Sequence, residues 1–182
     1  MRYCPQCKAD MVDRELDGVS RLACQSSSCD YVYWQNPTPV VAGIVEYQGK
    51  IVMAHNVAWP KEFFSVITGF LEQGEDPAEA MVRETKEELN LTVTAQRLIG
   101  AYGFEQMNQV IIAYHCEAEG SIVLNEELDD YKLVEKKDIV PWDMGTGLAL
   151  KDYLASLNQS PHHWIARINA WCYWPYYGVD IA

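Results

Sequence analysis

Positive charge is scarce in this chain. Fourteen Lys and Arg stand against 26 Asp and Glu, for a formal net charge of −12 and an isoelectric point near 4.6. This argues against a nucleic-acid backbone as the main partner, because phosphate contacts run on Lys and Arg. A small phosphorylated substrate stays compatible if a divalent metal supplies local positive charge. A long apolar run is also missing, which excludes a membrane-spanning helix. No apolar signal core follows the opening MRYCPQC, so the cytoplasm is the expected compartment. There thiols stay reduced, and paired cysteines point to metal before disulfide. What is present is a chain of 182 residues, 49% of them hydrophobic, enough for one ordinary domain with a small appendage.

Four of the six cysteines fall in the first thirty residues, as CPQC (Cys4, Cys7) and CQSSSC (Cys24, Cys29). The polar stretch between them, MVDRELDGVSRLA, has Gly18 near its centre and is long enough for a hairpin that returns the chain to the first pair. Two cysteine pairs on facing knuckles supply the four soft ligands of a tetrahedral Zn²⁺. So short a unit cannot build a core alone, so the metal would hold it together. A Cys4 zinc ribbon over residues 1–36 is the expected reading; two disulfides, free thiols or an iron–sulfur cluster are the alternatives. Cys116 and Cys172 read as buried small hydrophobes.

YVYWQNPTP (31–39) reads as a linker into a main domain expected over residues 37–160. VVAGIVEYQGKIVMAHN reads as two strands around Gln48-Gly49. FFSVITGF, VTAQRLIGAY, VIIAYHCEA and YKLVE read as further strands, and GLALKDYLASL has helical spacing. Asp76 before Pro77, with Glu79 three after the cap, predicts a capping box opening a helix that runs to about Leu89. This order of elements predicts an α/β domain. The tail over 161–182 is rich in Trp and Tyr and is expected to cover core or subunit interface.

The predicted helix carries RETKEEL, Arg83 to Leu89. At about 100° per residue, Ala78, Met81, Val82, Thr85 and Leu89 cluster on an apolar side. Glu84, Glu87 and Glu88 fall on an adjoining rim, with Glu84 and Glu88 one turn apart, and Arg83 lies within reach of Glu75. Like charges at this spacing repel, so the cluster is either simply solvated or faces a cation. Written out, the stretch is Gly69-FLEQG-Glu75-DPAEAMV-Arg83-Glu84-Thr85-Lys86-Glu87-Glu88-Leu89-Asn90-Leu91. It resembles the signature of the Nudix hydrolases without an insertion. Thr85 stands where an aliphatic residue is usual, and Asn90 where glycine is usual.

The resemblance implies an α/β/α sandwich with a mixed sheet. It implies that Glu84, Glu88 and Glu87, with the Gly69 carbonyl, hold Mg²⁺ or Mn²⁺, and that Glu75 orients Arg83. The implied reaction is metal-dependent hydrolysis of the pyrophosphate bond of a nucleoside diphosphate linked to another moiety. Family members often take the base from a glutamate on a loop before a later strand. Glu126 and Glu127 fall there, and Glu127 is the choice.

A short ribbon ahead of such a domain resembles two groups: the NADH pyrophosphatases, and ribbon-bearing FAD and ADP-ribose pyrophosphatases. After the signature this chain reads AYGFEQMNQ, without the Ser-Gln-Pro-Trp-Pro-Phe-Pro run of the NADH group. FAD or ADP-ribose is therefore the preferred substrate and NADH the second, with Tyr102 and Phe104 available to stack on a ring. Two readings from other classes are a nucleotide sensor and a ribbon that recruits RNA or protein. The sensor fits poorly with three retained carboxylates. The ribbon segment has no basic excess, which disfavours RNA. A structural ribbon, placed at a homodimer contact, is the better expectation.

Overall fold

The structure, a computed structural model, describes residues 1–158. The aromatic-rich tail and Cys172 lie outside the described residues. The chain divides into two compact units, Met1–Thr38 and a second that begins at Pro39.

The first unit is a three-stranded antiparallel sheet, ordered β1 (Met11–Leu16), β2 (Val19–Cys24) and β3 (Val32–Tyr33). Leu16 pairs with Val19 across a two-residue turn in which Asp17 and Gly18 both have positive φ. Such a turn matches the right-handed twist of the strands it joins. The expected linker is shorter than YVYWQNPTP suggests. Val32 and Tyr33 close the small sheet, and the next strand already begins at Thr38, the last residue of the first unit.

The second unit is built on a six-stranded sheet, β7-β8-β4-β5-β9, with β6 paired to β4. The strands are β4 (Thr38–Tyr47), β5 (Lys50–Asn56), β6 (Ile67–Phe70), β7 (Thr92–Phe104), β8 (Gln109–Glu119) and β9 (Leu128–Val134); the helices are α1 (Pro77–Leu89) and α2 (Thr146–Leu157). The β4–β5 hairpin turns on Gln48 and Gly49, both at positive φ, as expected for this dipeptide. FFSVITGF yields less strand than expected: only Ile67–Phe70 pairs continuously, after a single bridge from Ser65 to Ala54.

Alternation along β4 shows why the sheet is covered on both faces. Val40, Ala42 and Ile44 pack with Ile51, Met53, Ala149, Leu150 and Tyr153, the last three from α2. Val41 and Val45 pack with Val52, Ile67, Ala80, Met81 and Leu89, the last three from α1. A strand apolar at every position from 40 to 45 is the signature of burial on two sides. The layers are helix, sheet, helix. The β6 end of the sheet and the carboxylate-bearing stretch of α1 are thereby brought side by side.

Candidate active site

Helix α1 begins as the sequence predicts, with one difference. Asp76 is the N-cap and Pro77 follows it, but the Asp76 carboxylate accepts from the Ala78 N–H at 2.8 Å, the second helical amide rather than the third. The helix ends at Asn90, which takes the left-handed conformation (φ 58°). Its side chain accepts from Lys86 Nζ at 2.9 Å and donates to the Ser121 carbonyl at 3.3 Å. Asn therefore fills the glycine position without a large conformational cost. Thr85 is fully buried, and its hydroxyl donates to the Met81 carbonyl at 2.8 Å, so the methyl is free to pack.

The buried arc of α1 is rotated from the expected one. Val82 is 38% exposed, whereas Glu84 and Glu88 are buried with Ala80, Met81, Thr85 and Leu89. The two glutamates are not on the rim but on the face turned to the protein. For Glu84 the space comes from Gly69 on β6. A Cβ there would lie 1.9 Å from the Glu84 carboxyl carbon, so a missing side chain makes the space that Glu84 occupies. Gly69→Ala must push Glu84 aside. It is expected to lower turnover about 100-fold and to destabilise by about 1–3 kcal/mol, read by kcat and Tm on the same preparation.

Arg83 is the hub of the charge network. Its Nε and Nη2 donate to the two oxygens of Glu75 at 2.7 and 3.0 Å, a bidentate pair. Its Nη1 donates to Glu84 Oε1 at 2.7 Å and Glu87 Oε2 at 3.1 Å, and Nη2 also reaches the Phe70 carbonyl at 3.2 Å. Glu75 accepts as well from the Glu72 N–H at 3.1 Å. The brace between the turn and the helix is thus present as geometry.

One arginine does not neutralise this cluster. Burial raises the Glu84 carboxyl above the ordinary range, against the pull of Arg83. Glu88 is pushed up to about 8, first by burial and then by the charges of Glu84, Glu127 and Glu87. Among the described residues no hydrogen-bond donor reaches its carboxylate. A buried acid without donor or cation is costly, and a hard divalent cation with oxygen ligands relieves that cost. The donor set of Glu84, Glu87, Glu88 and the Gly69 carbonyl fits such an ion in chemistry. The carboxylates are not drawn into a tight cluster, because Glu84 and Glu87 each turn an oxygen onto Arg83.

These groups line a cavity of about 760 Å³. Glu127 lines it too, while Glu126 does not. The Glu127 N–H donates to Asn125 Oδ1 at 3.1 Å, and the Asn125 N–H donates to the Glu88 carbonyl at 3.3 Å. The loop before β9 is therefore tied to the carboxylate end of α1. The same cavity is also lined by the apolar side chains of Phe104, Trp59, Phe63, Met107, Trp142 and Met144. Phe63 meets Trp59 at 5.1 Å and Trp142 at 6.2 Å between ring centroids.

Tyr102 does not line this cavity. Its hydroxyl donates to Asp152 Oδ2 on α2 at 2.8 Å and its ring packs in the core under that helix. Tyr102 and Phe104 share a face of β7, but only Phe104, the last residue of the strand, lines the cavity. Trp59, Phe63 and Trp142 were not picked out from the sequence. They sit in loops, and no spacing rule links them.

In the first unit the four cysteines converge. Cys4 and Cys29 Sγ are 3.7 Å apart, Cys7 and Cys24 Sγ are 3.4 Å apart, and all four lie within 4.8 Å of one another. A tetrahedral Zn²⁺ with bonds of about 2.3 Å sets its sulfurs roughly 3.8 Å apart, so the quartet fits the ion. Cys116 is buried in the core against α1, as expected of a small hydrophobe. Among the described residues no helix is long and apolar enough to cross a membrane.

Comparison with known proteins agrees with this layout. The NAD-capped RNA hydrolase NudC of Pseudomonas putida (strain W619) is 25% identical over 150 residues, which is 81% of this chain and 53% of that one. The protein of the same name from Vibrio atlanticus (strain LGP32) is 26% identical over 146 residues, 78% of this chain and 53% of that one. The chain thus spans about half the length of the curated relatives it matches. A NUDIX hydrolase from Nitrosomonas europaea superposes with a TM-score of 0.71 at 25% identity, over 90% of this chain and 97% of that one. An ADP-ribose pyrophosphatase from Streptococcus suis 89-1591 shares the fold, with a TM-score of 0.57 at 20% identity over 70% and 96% of the two chains. Residues 37–152 match the NUDIX domain, and they hold both the carboxylate helix and the cavity. The chain belongs to the NUDIX family of hydrolases, with a four-cysteine unit ahead of the NUDIX domain.

Proposed function

We propose that the chain hydrolyses the pyrophosphate bond of a nucleoside diphosphate linked to another moiety, with FAD or ADP-ribose as the preferred substrate and AMP as a product. The observation that carries this reading is one cavity lined both by the carboxylates of α1 and by aromatic rings. A dinucleotide or nucleotide sugar has the same two-part chemistry: a charged anhydride beside a flat base.

Glu84, Glu87 and Glu88, with the Gly69 carbonyl, are the residues that would hold Mg²⁺ or Mn²⁺. When bound, the ion neutralises the pyrophosphate oxygens and lowers the pKa of water at the site. Arg83, held by Glu75, keeps Glu84 and Glu87 in position. Glu127 accepts the proton of the attacking water. Water adds to one phosphorus and the bridging P–O bond breaks. ADP-ribose and water thus give AMP and ribose 5-phosphate. Phe104 and the neighbouring rings exclude water and hold the base, a use of binding and positioning that suits phosphoryl transfer. Four thiols in the first unit hold a structural Zn²⁺.

NADH is the second reading, and a position in the structure bears on it. The stretch AYGFEQMNQ, which distinguishes this chain from the NADH group, ends β7 and forms the turn Glu105–Met107. Phe104, Met107 and Gln109 from it line the cavity. The chain's net charge of −12 favours a free nucleotide over an RNA chain. The test is product analysis by HPLC with FAD, ADP-ribose, NADH, NAD⁺ and an NAD-capped RNA oligonucleotide, each with Mg²⁺ and with Mn²⁺. AMP released fastest from FAD or ADP-ribose is the expected result. Fastest release from NADH or the capped RNA would assign the substrate elsewhere.

A further inference from the structure

His55, on β5, is 5% exposed, and both of its ring nitrogens meet acceptors. Nδ1 is 2.5 Å from Asp129 Oδ1, and Nε2 is 3.1 Å from the Pro60 carbonyl oxygen. Carboxylate and carbonyl oxygens accept and do not donate. Two such partners are both satisfied only if each nitrogen carries a hydrogen, that is, by the imidazolium.

The two partners belong to two different segments, each of which contributes residues to the cavity: Glu127 from one, Trp59 and Phe63 from the other. Asp129 is an extra residue on β9: His55 pairs with Asp130 and Asn56 with Leu128, so the register shifts there. This β-bulge brings the Asp129 carboxylate to the imidazole and lies directly after Glu127. Bulges beside functional sites commonly re-aim side chains in this way. Pro60 belongs to the loop 57–64. Its carbonyl also accepts from the Phe63 N–H at 2.9 Å, and the Val57 N–H donates to the Glu127 carbonyl at 3.0 Å. That loop carries Trp59 and Phe63 into the cavity. The Phe64 ring lies 5.4 Å from the imidazole, and Lys132 Nζ from β9 sits over the same ring at 3.6 Å. The other charged side chains of the adjoining segments are Glu126 and Glu127 before β9, Asp130 on β9, and Lys61 and Glu62 in the loop.

We propose that His55 is a positioning residue: as an imidazolium it ties the ring-bearing 57–64 loop to the segment that presents Glu127. Loss of one ring proton would set a lone pair against an acceptor and break one of the two ties. Its hydrogen bond to Asp129 outweighs burial and raises its pKa above the ordinary histidine value, so the charged form persists further toward alkaline pH. The kinetic consequence rests on the hydrolytic reading above; the structural one does not.

The test uses the full chain and the variants His55→Gln and Asp129→Asn. Asp129→Asn keeps an acceptor oxygen but removes the charge. Imidazole ¹⁵N shifts, assigned by the signal lost in His55→Gln, are expected to show both His55 nitrogens protonated at pH 7. Hydrogen exchange at the Phe63 amide is expected to quicken above the His55 titration and in His55→Gln. KM for the nucleotide is expected to rise on the alkaline side with kcat little changed. Asp129→Asn is expected to move both the NMR titration and that rise to lower pH, and His55→Gln to raise KM about ten-fold at pH 7. A neutral His55 at pH 7, or an unmoved titration in Asp129→Asn, would overturn the proposal. If no nucleotide is hydrolysed, the catalytic reading fails, while the ¹⁵N and exchange data still decide the role of His55. If His55→Gln does not fold, Asp129→Asn carries the test.

Discussion

Glu88→Gln is expected to cut turnover by on the order of 1,000-fold and, without added Mg²⁺ or Mn²⁺, to raise the melting temperature. The loss follows from removing a ligand oxygen where charge on the transferring phosphoryl group must be offset. The gain follows from the environment of the side chain. Glu88 is 7% exposed and faces the charges of Glu84, Glu127 and Glu87, and its carboxyl is pushed up to about 8. An acid whose folded pKa lies above its unfolded one costs stability as pH rises from the ordinary carboxylate range through the raised value. At pH 7 much of that cost is present, and a neutral amide of the same shape removes it, by about 2 kcal/mol. Mg²⁺ should reverse the order, stabilising the wild type and leaving the variant unchanged. Thermal melts at pH 5 and pH 7, with and without Mg²⁺, check each part: the variant's advantage must shrink at pH 5 and vanish with the ion. A variant that melts lower than wild type without the ion would show that Glu88 is held by something other than a cation. Glu87→Gln is the useful contrast, because Glu87 has a 56% exposed side chain and its deletion relieves little buried charge.

The second large effect concerns the four-cysteine unit. Replacing Cys24 by Ser, or stripping the metal with a strong chelator, is expected to unfold residues 1–38 and leave the sheet of the second unit intact. The buried hydrophobic residues of the first unit are Cys4, Ala23 and Cys24, two of them in the thiol quartet. Without the ion almost no core is left to offset the entropy of ordering three strands. Structural zinc in units of this size contributes about 10–16 kcal/mol of apparent binding free energy at neutral pH. Metal analysis should find about one zinc per chain, and amide resonances of β1 and β2 should collapse to the unfolded range when it is removed. Thiol titration distinguishes the alternative. The close pairs, Cys4 with Cys29 and Cys7 with Cys24, are free thiols in the structure. Four ribbon thiols should therefore titrate after denaturation without reductant. Loss of structure on adding reductant alone, with no metal present, would point to two disulfides instead.

Several parts of this protein are legible in its sequence for a simple reason: they are set by local periodicity or by short-range chemistry. The two cysteine pairs, the Gln48-Gly49 turn, the Asp76-Pro77 helix start and the Asn90 helix end each depend on a few adjacent residues. The pairing of Arg83 with Glu75 follows from helix geometry and the turn before it. The match from Gly69 to Leu91 carried the family because its charged positions sit at fixed spacing.

Other parts were out of reach, and each involves residues far apart in the chain. The apolar side of α1, read at 100° per residue, placed Val82 inward and the glutamates on the rim. Only the packing of Glu84 against Gly69 reveals that the acids take the buried arc. Tyr102 and Phe104 are equivalent in strand parity, yet one is claimed by Asp152 on α2 and the other by the cavity. The ring wall joins Trp59 and Phe63 to Trp142, and the His55 tie joins Pro60 to Asp129. Residue type and spacing were enough to tell which side chains could bear a metal or a proton and which local turns would form. Folding then set which of them are dry, which share a cavity and which nitrogen faces which oxygen. Burial and long-range approach set those outcomes, because desolvation and charge proximity act through space and not along the chain.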